Sequence, residues 1–205
     1  GRYIYTTEMR ILLSIFLVVC SQACAQQEVS LDFKIGQMLM VGVSGTDISQ
    51  NTSVLRDIQL GKVGGVLLFE KNISPESSSE TLEKFVSDLQ APAPLSLFVS
   101  IDQEGGLVNR LKSKYGFPKS VSAEYLGSIQ DMDSTKYYAE QTATTLKDLG
   151  FNVNFAPVVD LKVKGNPVIA GNQRAYSGDP DSVVLHASQV VDAMRASGVV
   201  SVLKH

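Results

Sequence analysis

Tryptophan is absent and cysteine occurs only twice, as Cys20 and Cys24. Two cysteines cannot build a disulfide framework or a cysteine-rich zinc site. A dense basic run is also missing: 18 Lys and Arg against 21 Asp and Glu leave a net charge of −3. That balance argues against a large phosphate-tracking surface, so no nucleic-acid partner is expected. Nor is there an apolar run long enough to span a bilayer. The longest, Ile11–Cys20, is about ten residues where a spanning helix needs about 20. With 44% hydrophobic and 19% charged residues, the composition excludes a disordered or collagen-like chain. What is present is a slightly acidic, glycine-punctuated chain of 205 residues, enough for one medium domain or one and a fraction.

The first thirty residues read differently from the rest. From Met9 the chain runs MRILLSIFLVVCSQACAQQ. Arg10 precedes the apolar run, and small residues close it at Ala23-Cys24-Ala25, the three-part pattern of an export signal. Residues 1–30 are therefore assigned to a signal peptide and linker, and the mature protein is expected outside the cytoplasm, in the periplasm or beyond the cell. Lipid anchoring at Cys24 is the alternative; a buried N-terminal helix or strand is a third reading.

Beyond Ser30, apolar runs alternate with helical periodicity. Met38–Val43, Val63–Phe69, Leu95–Ile101, Val153–Val159 and Val199–Leu203 are short, rich in β-branched residues and bounded by turn residues, as strands buried on both faces are. Between them, Ser77–Leu89 carries Leu82, Phe85, Val86 and Leu89 at helical steps, and Ser134–Leu149 ends at Gly150, where a left-handed residue is wanted. A third helix opens on Asp179-Pro180, a cap followed by proline at the first helical position, and closes at Gly198. Strands alternating with helices predict an α/β fold with a parallel sheet. Polar residues at several strand ends (Asp102, Asp160, Lys204-His205) favour a (β/α)8 TIM-barrel-type arrangement over a doubly wound sheet. About five of the eight strands of such a barrel are present, so the chain reads as incomplete.

Three segments carry candidate chemistry. Asp102-Gln103-Glu104-Gly105-Gly106 places two carboxylates two residues apart, then glycines that permit close approach of backbone to a ligand. Spacing alone admits a glycosidase acid–nucleophile pair, and it favours a strand-ending turn whose acids cap the next helix. Arg174 lies in a Gly/Asn/Pro-rich loop, either solvated or reaching back over the strand ends. Lys204-His205 follows the last strand. His186, at the edge of the apolar face of the last helix, and Gly64-Gly65 read as structural. No cluster of His, Asp and Glu has ligand spacing, so no metal and no cofactor are expected.

In order, IGQMLMVGV, GKVGGVLLFEKNI, LFVSIDQEGGLVNRL, FPKSVSAEYLG, LGFNVNFAPVVDL, NQRAYSGDP and GVVSVLKH resemble the catalytic barrel of glycoside hydrolase family 3, most closely its β-N-acetylhexosaminidase branch. The likeness covers residues 31–205, which it marks as the N-terminal portion of that barrel. It implies a retaining glycosidase acting on carbohydrate that contains N-acetylglucosamine, with β-glucosidase as the alternative activity within the family and a non-catalytic carbohydrate-binding remnant as the alternative outside it. It also revises the carboxylate reading: Asp102, Arg110, Arg174, Lys204 and His205 become sugar-binding residues. The nucleophilic aspartate and the acid/base histidine are expected beyond residue 205, so the fragment alone should be inactive. Leu107 stands where the family usually has arginine, and Asn109 precedes Arg110; both depart from the pattern at the rim of the sugar pocket.

Overall fold

The computed structural model describes residues 29–205, and the predicted export signal lies outside them. Asp32–His205 form one compact unit. Its elements are α1 (Leu31–Gly36), β1 (Met40–Gly42), α2 (Thr52–Gln59), β2 (Gly65–Leu68), α3 (Ser78–Gln90), β3 (Phe98–Ile101), α4 (Ala123–Ile129), α5 (Met132–Asp148), β4 (Val153–Asn154), α6 (Pro180–Ala196) and β5 (Val200–Ser201). All five expected strands are present, each shorter than its apolar run. The three expected helices appear as α3, α5 and α6. The short helices α1, α2 and α4 were not anticipated, because six to eight residues give barely two turns of periodicity. Among the described residues no helix is long and apolar enough to cross a membrane.

Every strand pair is parallel, and the spatial order is β1-β2-β3-β4-β5. A doubly wound sheet reverses direction at a switch point, whereas a barrel adds strands sequentially. The observed order is that of a barrel. Val66, Leu68, Val99 and Ile101 face the helices and are buried there with Leu82, Phe85, Val86 and Leu89 of α3, Leu146 of α5 and Met194 of α6. The opposite rows align Met40, Gly65 and Phe98, then Gly42, Leu67 and Ser100. On that face Met40 and Phe98 remain exposed.

The caps behave as read. The Asp179 carboxylate accepts from the Ser182 amide at 3.2 Å, with Pro180 in the first turn. Gly150 and Gly198 take left-handed conformations, φ 83° and 76°, after α5 and α6. Gly64-Gly65 is a packing feature, as expected: a side chain on Gly64 would strike the Gln37 carbonyl. His186 is structural. It is fully buried, bonds the Thr135 hydroxyl through Nδ1 at 2.8 Å and stacks on Tyr176.

Burial pushes His186 below its ordinary value of 6.5, so the folded imidazole stays neutral where the unfolded one takes a proton. Stability contributed by the neutral ring is complete above about pH 6.5 and is lost as pH falls through the depressed value. Melting temperature should therefore drop between pH 7 and 5, and less steeply in His186→Leu. Equal slopes in the two proteins would contradict this.

Candidate sugar-binding site at the strand ends

Asp102 leaves the end of β3 and Lys204 follows β5. The Lys204 backbone is tied in place by parallel pairing that continues past β4 and β5: its carbonyl accepts from Val159 at 2.8 Å and its amide donates to Pro157 at 3.3 Å. The Lys204–His205 peptide is cis. From this anchor the Lys204 ammonium donates to Asp102 Oδ1 at 2.8 Å and meets Glu104 Oε1 at 2.6 Å. One cation thus joins the two carboxylates of the Asp102–Glu104 turn.

Arg174 does reach back over the strand ends. Its Nε and Nη2 donate to Glu104 Oε2 and Oε1, each at 2.8 Å, the two-pronged geometry that fixes a carboxylate most firmly. Arg174 Nη2 also lies 2.9 Å from His205 Nε2, and His205 Nδ1 lies 2.7 Å from Asp160 Oδ2. Guanidinium has only donors. Nε2 therefore accepts, and the ring proton sits on Nδ1 and is donated to Asp160. The Glu104 hydrogen bonds hold the Arg174 guanidinium above its ordinary value. Arg110 is the loosest member, with Nη2 3.8 Å from Asp102 Oδ2.

The five residues predicted from sequence are therefore joined in one network. Two further members were missed as site residues. Glu104 is its centre, with a side chain only 6% exposed, and Asp160 orients His205. Gln103 and Asn154 align the turn: Asn154 accepts from the Gln103 amide at 3.0 Å and donates to its carbonyl at 3.1 Å.

Two expectations are corrected. Asp102 and Glu104 cap no helix, because the chain after them folds into a Gly105–Val108 bridge and the carboxylates are drawn to Lys204 and Arg174. The close approach permitted by Gly105 and Gly106 is to protein: Cβ atoms there would fall 2.3 Å from the Val121 carbonyl and 2.6 Å from Ser122 Cβ. Of the two departures, Leu107 is exposed, whereas Asn109 is buried between Gln103 and Ser120.

Asp102, Glu104 and Asp160 against Arg110, Arg174 and Lys204 make a charge-balanced cluster on the C-terminal rim of the sheet, the end at which barrels of this type carry their ligand sites. Such a cluster suits neutral polyols: carboxylate oxygens accept from hydroxyls while ammonium and guanidinium groups donate to them. An apolar groove of about 390 Å³ along α6, lined by Val159, Val183, Ala187 and Leu203 among others, carries charge at the exposed Asp192–Arg195 pair, whose two side chains meet each other at 3.3 Å.

Fold and rim together define a domain of the barrel class with a charge-balanced cluster at the C-terminal ends of its strands. The family model described as the glycosyl hydrolase family 3 N terminal domain matches residues 30–205, and the chain belongs to that family. It is 32% identical over 173 residues to a beta-hexosaminidase of Xanthomonas euvesicatoria pv. vesicatoria, covering 82% of this chain and 49% of the relative. Among solved structures, the glycoside hydrolase family 3 beta-N-acetylglucosaminidase from Paenibacillus sp. str. FPU-7 is 32% identical with a TM-score of 0.78, covering 86% of this chain and 33% of that one. Beta-N-acetylhexosaminidase from Beutenbergia cavernae is 31% identical with a TM-score of 0.75, covering 87% and 54%. The chain spans about half the length of the curated relatives it matches.

Proposed function

We propose that this chain is the sugar-holding part of a retaining β-N-acetylhexosaminidase that removes terminal β-linked N-acetylhexosamine from glycans. The observation that carries this reading is the Lys204 ammonium held between Asp102 and Glu104, with Arg174 and His205 joined to the same cluster. Family membership and the names of the relatives support it. Asp102 Oδ2 faces Arg110 beyond hydrogen-bonding distance, which leaves an acceptor and a cationic donor side by side for adjacent sugar hydroxyls. Among the described residues the Glu104 carboxylate bonds only Arg174 and Lys204, and it serves to fix them. Hydrolysis needs an acid/base and a nucleophile; neither role is given to Asp102 or Glu104, whose charges are committed to binding.

Calorimetric titration of the chain with N-acetylglucosamine and with glucose tests the reading. Binding of N-acetylglucosamine in preference to glucose is expected. Equal binding would favour β-glucosidase, and binding of neither would overturn the reading. The same proposal places the mature protein outside the cytoplasm, on the pattern of residues 9–25; recovery of the protein in the cytoplasm with those residues intact would contradict it.

A further inference from the structure

Among the described residues the Arg110 guanidinium makes no hydrogen bond: Nε is buried without a partner, and Nη2 meets Asp102 only at 3.8 Å. A guanidinium with no hydrogen bond of its own is placed only as well as the backbone that carries it. That backbone has little regular structure, only the Gly105–Val108 bridge before it and one 3-10 turn, Ser113–Tyr115, after it. Beyond the packing of Leu111 in the core and the Lys112 amide bonded to the Arg110 carbonyl, it depends on side-chain ties.

Two sets of ties are present. From inside, the Gln103 side-chain oxygen accepts from the Arg110 and Leu111 amides at 3.0 and 3.1 Å. From outside, Glu70 takes three donors of the following turn: Lys112 Nζ at 2.5 Å, Lys114 Nζ at 3.0 Å and Tyr115 Oη at 3.1 Å. Lys112 above all, then Lys114, holds the Glu70 carboxyl down to about 2, so the tie is charged throughout the physiological range. Glu70 lies just beyond β2, and Leu68 of β2 pairs with Ile101 of β3. Glu70 and Asp102 therefore leave neighbouring strands at the same rim.

We infer that Glu70 is a positioning residue of the sugar site: by fastening Lys112, Lys114 and Tyr115 to the end of β2 it holds Arg110 opposite Asp102, and it sets sugar affinity without touching sugar. This rests on the sugar-binding reading above. An ordinary exposed ion pair contributes little and acts on nothing beyond itself. Glu70 differs in gathering three donors from four consecutive residues that begin two positions after Arg110.

The test is a double-mutant cycle in the full chain, titrated with N-acetylglucosamine, with melting curves as a check on folding and amide exchange as a second readout. Glu70→Gln should weaken binding about threefold or more and speed exchange at residues 110–115. In an Arg110→Ala background the same change should leave affinity unaltered, because the group it positions is gone. Glu70→Asp, which keeps the charge, should recover part of the loss. Wild-type affinity in Glu70→Gln, or equal weakening in both backgrounds, would overturn the inference. If the wild-type chain binds no N-acetylglucosamine, the sugar reading fails by itself, and unchanged exchange at residues 110–115 in Glu70→Gln would then overturn the positioning role separately.

Discussion

Glu104→Gln is expected to cost about 3 kcal/mol of folding stability, within the range found when one partner of a buried ion pair is removed. For a chain of this size that corresponds to a fall of roughly 10 °C in melting temperature. The reason is geometric. The Glu104 side chain is 6% exposed and Arg174 and Lys204 are 12% and 14% exposed, so a neutral amide leaves two poorly solvated cations sharing less negative charge. The amide keeps one oxygen to accept from Arg174, and its NH2 group meets a donor where the second oxygen stood. Replacing both sides of the pair, in Glu104→Leu with Arg174→Met, should cost less than the sum of the single changes, since no uncompensated charge is then left at that contact. Thermal melting of Glu104→Gln, the two single changes and their double decides the matter. An unchanged or raised melting temperature in Glu104→Gln would show that Glu104 is an unpaired acid and would reopen its reading as a catalytic group.

Gly127→Ala is the second large effect expected. Gly127 sits in α4, and a Cβ there would fall 1.7 Å from the Tyr176 carbonyl oxygen and 2.5 Å from its carbon. These are backbone atoms, so no side chain can rotate away. Either α4 or the segment carrying Ala175 and Tyr176 must move, at a cost of about 3 kcal/mol, the upper part of the usual range for overpacking. That segment also carries Arg174, and the Glu124 amide of α4 donates to the Gln173 carbonyl at 3.2 Å. The same methyl group should therefore weaken sugar binding, although it lies outside the site. Ser128→Ala, one residue along on the exposed side of α4, serves as the control and should change neither property. A Gly127→Ala chain with wild-type melting and affinity would mean that α4 does not set the position of the Arg174 loop.

Much of the fold was legible because periodicity and capping speak locally. The steps of Leu82, Phe85, Val86 and Leu89, the Asp179-Pro180 start and the left-handed Gly150 each specify their own few residues, and all appear as read. Strand lengths were overestimated because apolar runs continue past the paired residues. Val153–Val159 reads as one strand, but only Val153–Asn154 form β4. The site was legible only in part. Asp102 lies 102 positions before Lys204, and Glu104 lies 70 before Arg174, and no local pattern announces pairing over such distances. Family resemblance brought out five members of the network. Glu104 escaped because the resemblance supplied a role for its neighbour Asp102, leaving the second carboxylate without one. Its signal, a second acid beside an anchored lysine and a loop arginine, became visible only once the strands were ordered. Glu70 and the Lys112–Tyr115 turn were invisible for the same reason.

The cluster around Asp102 and Lys204 is proposed to hold a sugar, and titration of N-acetylglucosamine into the wild-type chain and Asp102→Ala puts this to the test. Saturable binding by the wild type and a loss of at least about tenfold in Asp102→Ala, the usual consequence of removing a charged hydrogen-bond partner, is the predicted result, with the variant still folded through Glu104, Arg174 and Lys204. Equal affinity in the two proteins would place any sugar elsewhere and contradict the claim.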